Sequence, residues 1–212
     1  KTVAILGPTG AGKSTISRLL FKFYNPKEGN IYINETDINN FSQNSLREII
    51  GVVPQDTVLF NDSIYYNIAY GSASSSKEEV INAAKNANIH NFISSLPDGY
   101  ETIVGERGLK LSGGEKQRVA IARTILKDPK IFFFDEATSA LDTSTEKEIQ
   151  KNLENISAGK TTLIIAHRLS TAANADNIIV LDKGAIIEQG THQSLLLEKG
   201  KYFEMWEKQK PS

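Results

Sequence analysis

The amino-acid sequence predicts an α/β fold: a mostly parallel sheet flanked by helices, with a small antiparallel β part and an inserted α-helical subdomain. Three observations carry this expectation. Short apolar runs alternate with helical stretches along most of the 212 residues, as in a parallel sheet covered on both faces. A glycine-rich loop, GPTGAGKST at 7–15, stands between the first such run and the first helix. From 56 to 110 the character shifts to Asn, Ser and short amphipathic segments, which suits a separate helical unit.

Taken in order, Thr2–Leu6 is an apolar run ending at Gly7 and reads as a buried parallel strand. Ser14–Tyr24 reads as a helix stopped by Asn25-Pro26. Asn30–Asn34 alternates and is expected as a strand at the sheet's edge, and Glu48–Pro54 as a further strand leading into Gln55. KEEVINAAKNANIHNFISSL at 77–96 predicts several helices, with SASSS at 72–76 as a surface loop. Ser112 followed three residues later by Glu115 forms a capping-box pattern, opening a helix that runs from Glu115 to Leu126 and stops at Asp128-Pro129. Strands at Ile131–Phe134, Thr161–Ala166 and Asn177–Leu181 then alternate with helices. The last is followed by a turn and a short strand, Ala185–Glu188. No internal repeat interrupts the scheme.

Composition narrows the class. Hydrophobic residues make up 40% and charged residues 23%, the balance of a globular domain. Lys and Arg number 24 against 25 Asp and Glu, so no excess of positive charge points to nucleic acid. The absence of cysteine excludes disulfides, thiolate metal sites and cysteine nucleophiles. No apolar run approaches the ~20 residues that span a bilayer. The chain opens at Lys1-Thr2-Val3 without a methionine or a signal pattern, and is expected to be a fragment of something longer, any membrane segment lying outside it.

GPTGAGKS at 7–14 fits G-x-x-x-x-G-K-[ST] in its required strand-to-helix setting, which makes the core a P-loop NTPase. In the stretch Gly7, Pro8, Thr9, Gly10, Ala11, Gly12, Lys13, Ser14, Thr15, the glycines let the backbone curl until several N–H groups face a β-phosphate. Lys13 adds a positive charge near the β- and γ-phosphates, and Ser14 offers a hydroxyl to Mg²⁺. IFFFDE at 131–136 ends an apolar strand in two acids. Asp135 is placed to hold Mg²⁺ at the carboxyl edge of the sheet, and Glu136 to polarise the attacking water. Gln55 and His167 also follow strands. A glutamine there can bond the water or a Mg²⁺ ligand, and a histidine can donate to a γ-phosphate. His90 and His192 lie away from any sheet-edge acid and read as satisfied structural residues.

A second glycine-rich helix entrance, LSGGEKQR at 111–118, completes an ordered set with GPTGAGKST, Gln55, IFFFDE, SALD at 139–142 and His167. The set resembles the nucleotide-binding domain of ATP-binding cassette (ABC) transporters, over essentially the whole chain. LFNDSIYYNIAYG, GERG at 105–108 and ALDTSTE look most like exporter half-transporters of the mitochondrial and heavy-metal-tolerance type. The resemblance implies a single ABC-type domain over 1–212 with a helical subdomain over about 58–125. It implies ATP and Mg²⁺ as ligands, and two copies closing head to tail around two ATP, most simply as a homodimer. Ser112, Gly113 and Gly114 then serve the γ-phosphate of the partner's nucleotide, and Asp142 contacts the partner. Glu136 corresponds to the catalytic base and His167 to the switch histidine. Gln55 corresponds to the residue linking nucleotide to the protein's own transmembrane domain, on the cytosolic or organelle-matrix face of a mitochondrial inner or other membrane.

The family's adenine-stacking aromatic lies N-terminal to the P-loop and is expected outside this chain. The transported substrate is not named by any residue here. Two rival classes share parts of the pattern. Chromosome-maintenance and DNA-repair ATPases separate the two glycine motifs by a long coiled coil, whereas no heptad run separates them here. Ribosome-associated twin cassettes lack the exporter-like phrases.

Overall fold

Burial rises along the first strand, β1 (Thr2–Leu6), until Ala4, Ile5 and Leu6 are enclosed, as in an interior strand with parallel neighbours and both faces covered. Those neighbours are β6 (Thr161–Ile165) and β7 (Asn177–Asp182), with Ala4 opposite Ile164 on one side and Ile178 on the other. The computed structural model describes residues 1–135, 143–166 and 168–209. Its main sheet has six strands in the order β4-β5-β6-β1-β7-β8, with β4 at Ile50–Val53, β5 at Ile131–Asp135 and β8 at Ala185–Gly190. The sheet is mostly parallel, as the alternation of strands and helices predicts. Its last strand, β8, runs antiparallel to β7 across a two-residue turn in which Lys183 and Gly184 both have positive φ (47° and 81°).

The chain divides into two compact units. The first comprises Lys1–Ile50, Lys130–Phe133 and Thr161–Ser212. Its core gathers Leu6, Ile178 and Val180 from the sheet with Leu169, Leu195 and Tyr202. The latter three come from α8 (Leu169–Ala172), α9 (His192–Glu198) and α10 (Lys201–Gln209). Each such aliphatic side chain, once enclosed, contributes about 2 kcal/mol of transfer free energy.

Helix α1 (Lys13–Leu20) is shorter than the sequence suggests. The expected extension to Tyr24 fails because Lys22 turns left-handed (φ 54°). Phe23 N–H then bonds the Arg18 carbonyl and Lys22 N–H that of Leu19, closing the helix ahead of Pro26. The Lys22 ammonium fixes the turn further by donating to the carbonyls of Asn39 and Phe41.

NIYIN is likewise not an edge of the main sheet. Its core, β2 (Tyr32–Ile33), pairs with β3 (Thr36–Asp37) in a separate two-stranded sheet around Asn34 and Glu35, both at positive φ. A further helix, α2 (Gln43–Ile49), capped by the Ser42 hydroxyl on Ser45 N–H, takes up the start of EIIGVVP, so β4 begins only at Ile50.

The second unit comprises Gly51–Pro129 and Phe134–Lys160. Its helices are α3 (Ile64–Ala69), α4 (Lys77–Asn86), α5 (His90–Ser95), α6 (Gly113–Lys127) and α7 (Thr143–Ile156). Helix α6 packs on α3 and α4, and Val119, Ile121, Ile64, Ile68, Val80 and Ala84 on these three helices are all fully buried. The approach is close enough that a β-carbon on Gly71 would lie 2.1 Å from the Arg123 carbonyl oxygen. SASSS ends at Ser76, which caps α4 in a full capping box with Glu79. His90 and His192 bond the hydroxyls of Tyr100 (2.9 Å) and Tyr202 (2.6 Å), in keeping with a structural role. Among the described residues no helix is long and apolar enough to cross a membrane.

Candidate nucleotide-binding site

The loop after β1 is shaped by three glycines with positive φ: Gly7 (152°), Gly10 (82°) and Gly12 (102°). Only glycine takes up these conformations without strain. Gly7 has a second constraint, since a β-carbon there would sit 2.3 Å from the Leu181 carbonyl oxygen. At Gly10 nothing lies within 4 Å of that position, so the loop is open there. Gly12 is the N-cap of α1 and supplies no side chain, so no side-chain oxygen occupies the helix's first N–H groups. Those donors and the helix dipole are what an anion requires.

The Lys13 ammonium reaches back across the loop, donating to the carbonyls of Gly7 (2.6 Å) and Pro8 (3.0 Å). Ala11 is buried and anchors the loop, while Pro8, Thr9, Gly10, Ser14 and Thr15 are exposed. The loop therefore combines fixed backbone donors, a positive charge and an open face. A polyphosphate fits this set, and the exposed Ser14 hydroxyl is the kind of hard oxygen donor that Mg²⁺ takes.

One support escaped the sequence reading. The β7–β8 turn touches the loop directly, with Gly184 N–H donating to the Ala11 carbonyl at 3.0 Å. Lys183-Gly184 is legible as a turn, but nothing in it announces what it leans on.

The remaining site residues that are described belong to the second unit. Gln55 is exposed, two residues past the end of β4, and Asp135 is the half-buried last residue of β5, the neighbouring strand. Ser112 caps α6: its hydroxyl accepts from Glu115 N–H (3.3 Å), and a Glu115 carboxylate oxygen accepts from Ser112 N–H (2.7 Å). Gly113 and Gly114 form the first turn of that helix. The two glycine-rich helix starts thus differ: α1 is uncapped and α6 is closed by its own side chains. Glu136, Asp142 and His167 lie outside the described residues. Among the described residues no cluster of His, Asp and Glu is arranged to hold a metal by itself.

A family profile described as "ABC transporter" matches residues 1–139, which takes in both glycine motifs and the two acids. The chain belongs to the ABC transporter family. It is the nucleotide-binding domain of such a protein. Among curated relatives of this family, it is 60% identical over 209 residues to heavy metal tolerance factor 1 of Caenorhabditis elegans, covering 99% of the chain and 26% of that protein. It is 61% identical over 207 residues to an ATM1-type heavy metal exporter of Novosphingobium aromaticivorans, covering 98% of the chain and 34% of that protein.

A mitochondrial ABC transporter, B family member 24 of Arabidopsis thaliana, is 54% identical over 209 residues, covering 99% of the chain and 31% of that protein. Among solved structures, a bacterial Atm1-family ABC exporter with ATP bound superposes with a TM-score of 0.97 at 59% identity, covering all of this chain and 37% of that one. The chain spans about a quarter to a third of the curated ABC relatives it matches.

Proposed function

We propose that this ABC domain is the motor of an exporter-type half-transporter, closing on a second copy of itself around two ATP and reopening after hydrolysis. The observation that carries the reading is the contrast between its two glycine-rich helix starts. Helix α1 leaves its first N–H groups without a side-chain cap and suits the chain's own nucleotide. Helix α6 is capped by Ser112 and Glu115 and has no need of a ligand in one copy. The Ser112 hydroxyl caps in the open state and turns to the partner's γ-phosphate in the closed one, with Gly113 and Gly114 allowing close backbone approach and Asp142 meeting the partner.

Within each site, Gly7–Thr15 bind and orient the phosphates, and Lys13 leaves its two loop carbonyls to neutralise them. Glu136 polarises the attacking water, Gln55 orients it, and His167 donates to the γ-phosphate. Ser14, Asp135 and Gln55 are assigned to Mg²⁺, which when bound supplies charge neutralisation at the β- and γ-phosphates. Catalysis rests on positioning and electrostatics rather than on a covalent intermediate.

We assign residues about 58–125 to a helical subdomain that meets the protein's own transmembrane domain. An exposed aromatic group there supports this: Phe60 (41% exposed), Tyr66 (44%) and Tyr70 (58%) pack on one another. The Arg123 guanidinium lies over the Phe60 and Tyr70 rings at 5.5 and 5.8 Å, held by Asn67. Burial lowers its pKa from the ordinary value. Such a surface suits an apolar partner. By likeness to the relatives above, the membrane is a mitochondrial inner or other cellular membrane.

The direct test is phosphate release from Mg-ATP. Lys13→Ala and Glu136→Gln are each expected to lower the rate by roughly 100-fold. Wild-type rates in both variants would overturn the assignment of roles.

A further inference from the structure

The β7–β8 hairpin has no part in the chemistry assigned above, yet three of its backbone atoms lie against the phosphate loop. Gly184 N–H donates to the Ala11 carbonyl at 3.0 Å. The Gly184 α-carbon would stand 3.6 Å from a β-carbon on Gly12, and the Leu181 carbonyl oxygen 2.3 Å from one on Gly7. The hairpin is also irregular at this place: its register shifts between Val180 and Leu181, next to the residue whose carbonyl faces Gly7.

The bond to Ala11 has a directional consequence. A trans peptide is planar, so its C=O and N–H point to opposite sides, and the chain has no cis peptide among its described residues. Holding the Ala11 carbonyl toward the hairpin therefore turns the Gly12 N–H the other way. Gly12 is the N-cap of α1 and has no β-carbon to restrict its φ, so the orientation of this peptide depends on what its carbonyl and N–H bond.

We infer that Gly184 is a positioning residue for nucleotide binding: the β7–β8 turn fixes the Ala11–Gly12 peptide so that the Gly12 N–H is preset as a phosphate donor. The inference rests on the reading of 7–15 as the phosphate loop. It adds a residue about 170 positions downstream, outside every nucleotide motif in the sequence.

The sequence position also allows a clean test. Gly184 has φ 81° with nothing within 4 Å of a β-carbon, so asparagine, which tolerates left-handed backbone and keeps its N–H, fits there. Proline loses the N–H and cannot reach that φ. Gly184→Pro is expected to weaken ADP binding and raise KM for ATP by roughly tenfold. Its kcat at saturation should stay near wild type, because a donor lost equally from ground and transition states moves KM alone. Gly184→Asn should restore both values.

Partial unfolding, by contrast, would lower kcat by reducing the active fraction and leave KM in place. In the unsubstituted chain, Gly184 N–H should exchange slowly with solvent, and more slowly with ADP bound. That measurement stands even if the proline variant does not fold. Lys13→Ala serves as the reference. If it binds ADP like the wild type, the phosphate-loop reading itself fails. If Lys13→Ala loses ADP while Gly184→Pro keeps wild-type KM, or if Gly184 N–H exchanges freely, the positioning role alone is overturned.

Discussion

A β-carbon on Gly7 would lie 2.3 Å from the Leu181 carbonyl oxygen, at a φ of 152° that side chains rarely adopt. The obstacle is backbone, so it cannot swing away as a side chain would. Gly7→Ala is expected to cost several kcal/mol of stability or to displace the phosphate loop, with ADP binding lost in either case; calorimetry and nucleotide titration together read it. At Tyr202 the decisive property is burial. The ring is fully enclosed, its hydroxyl sits 2.6 Å from His192 Nδ1, and desolvation pushes its pKa up to about 12 from 10.0. The folded state therefore holds the proton more tightly than the unfolded chain. The resulting stability is complete below pH 10 and is lost as pH rises toward 12. Tyr202→Phe should flatten the alkaline fall in melting temperature measured across that range, and wild-type steepness in the variant would contradict the assignment.

Among the elements, α6 shows what local chemistry makes legible. Ser112 and Glu115 spell out a capping box in the sequence, and both of its bonds are present. Ser112→Ala should cost about 1 kcal/mol in denaturant unfolding and leave ADP binding by the single chain unchanged. The strands of the main sheet were equally readable, because enclosed parallel strands need apolar runs of about their observed length. The misses have separate causes. Helix α1 stops at Leu20 because Lys22 adopts a left-handed turn that its side chain secures on residues 39 and 41, a tertiary reason invisible in FKFYNP.

NIYIN pairs locally across Asn34-Glu35 rather than with the main sheet, and periodicity cannot tell one partner from another. Helix α2 did carry a signal, Ser42 with Ser45, that the apolar run after it overshadowed. Within the site, the phosphate loop was legible because its glycines answer backbone demands set by the motif itself. The brace from Gly184 was not, since a backbone N–H has the same identity in every residue.

For the whole molecule, we propose that one chain carries two halves of two different sites: Gly7–Thr15 in the first unit for its own nucleotide, and Ser112–Gly114 in the second unit for the nucleotide of another copy. ABC relatives of this chain are three to four times its length, so the second copy and the membrane domain are both partners to be tested. The most direct measurement is molecular mass in solution of the Glu136→Gln chain, in Mg-ATP and in Mg-ADP, with bound nucleotide quantified in each. With hydrolysis stopped, ATP should hold two copies together while ADP leaves one. A chain that holds ATP and still has the mass of a single copy would contradict the composite site, and would return LSGGEKQR to the role of a capped helix start.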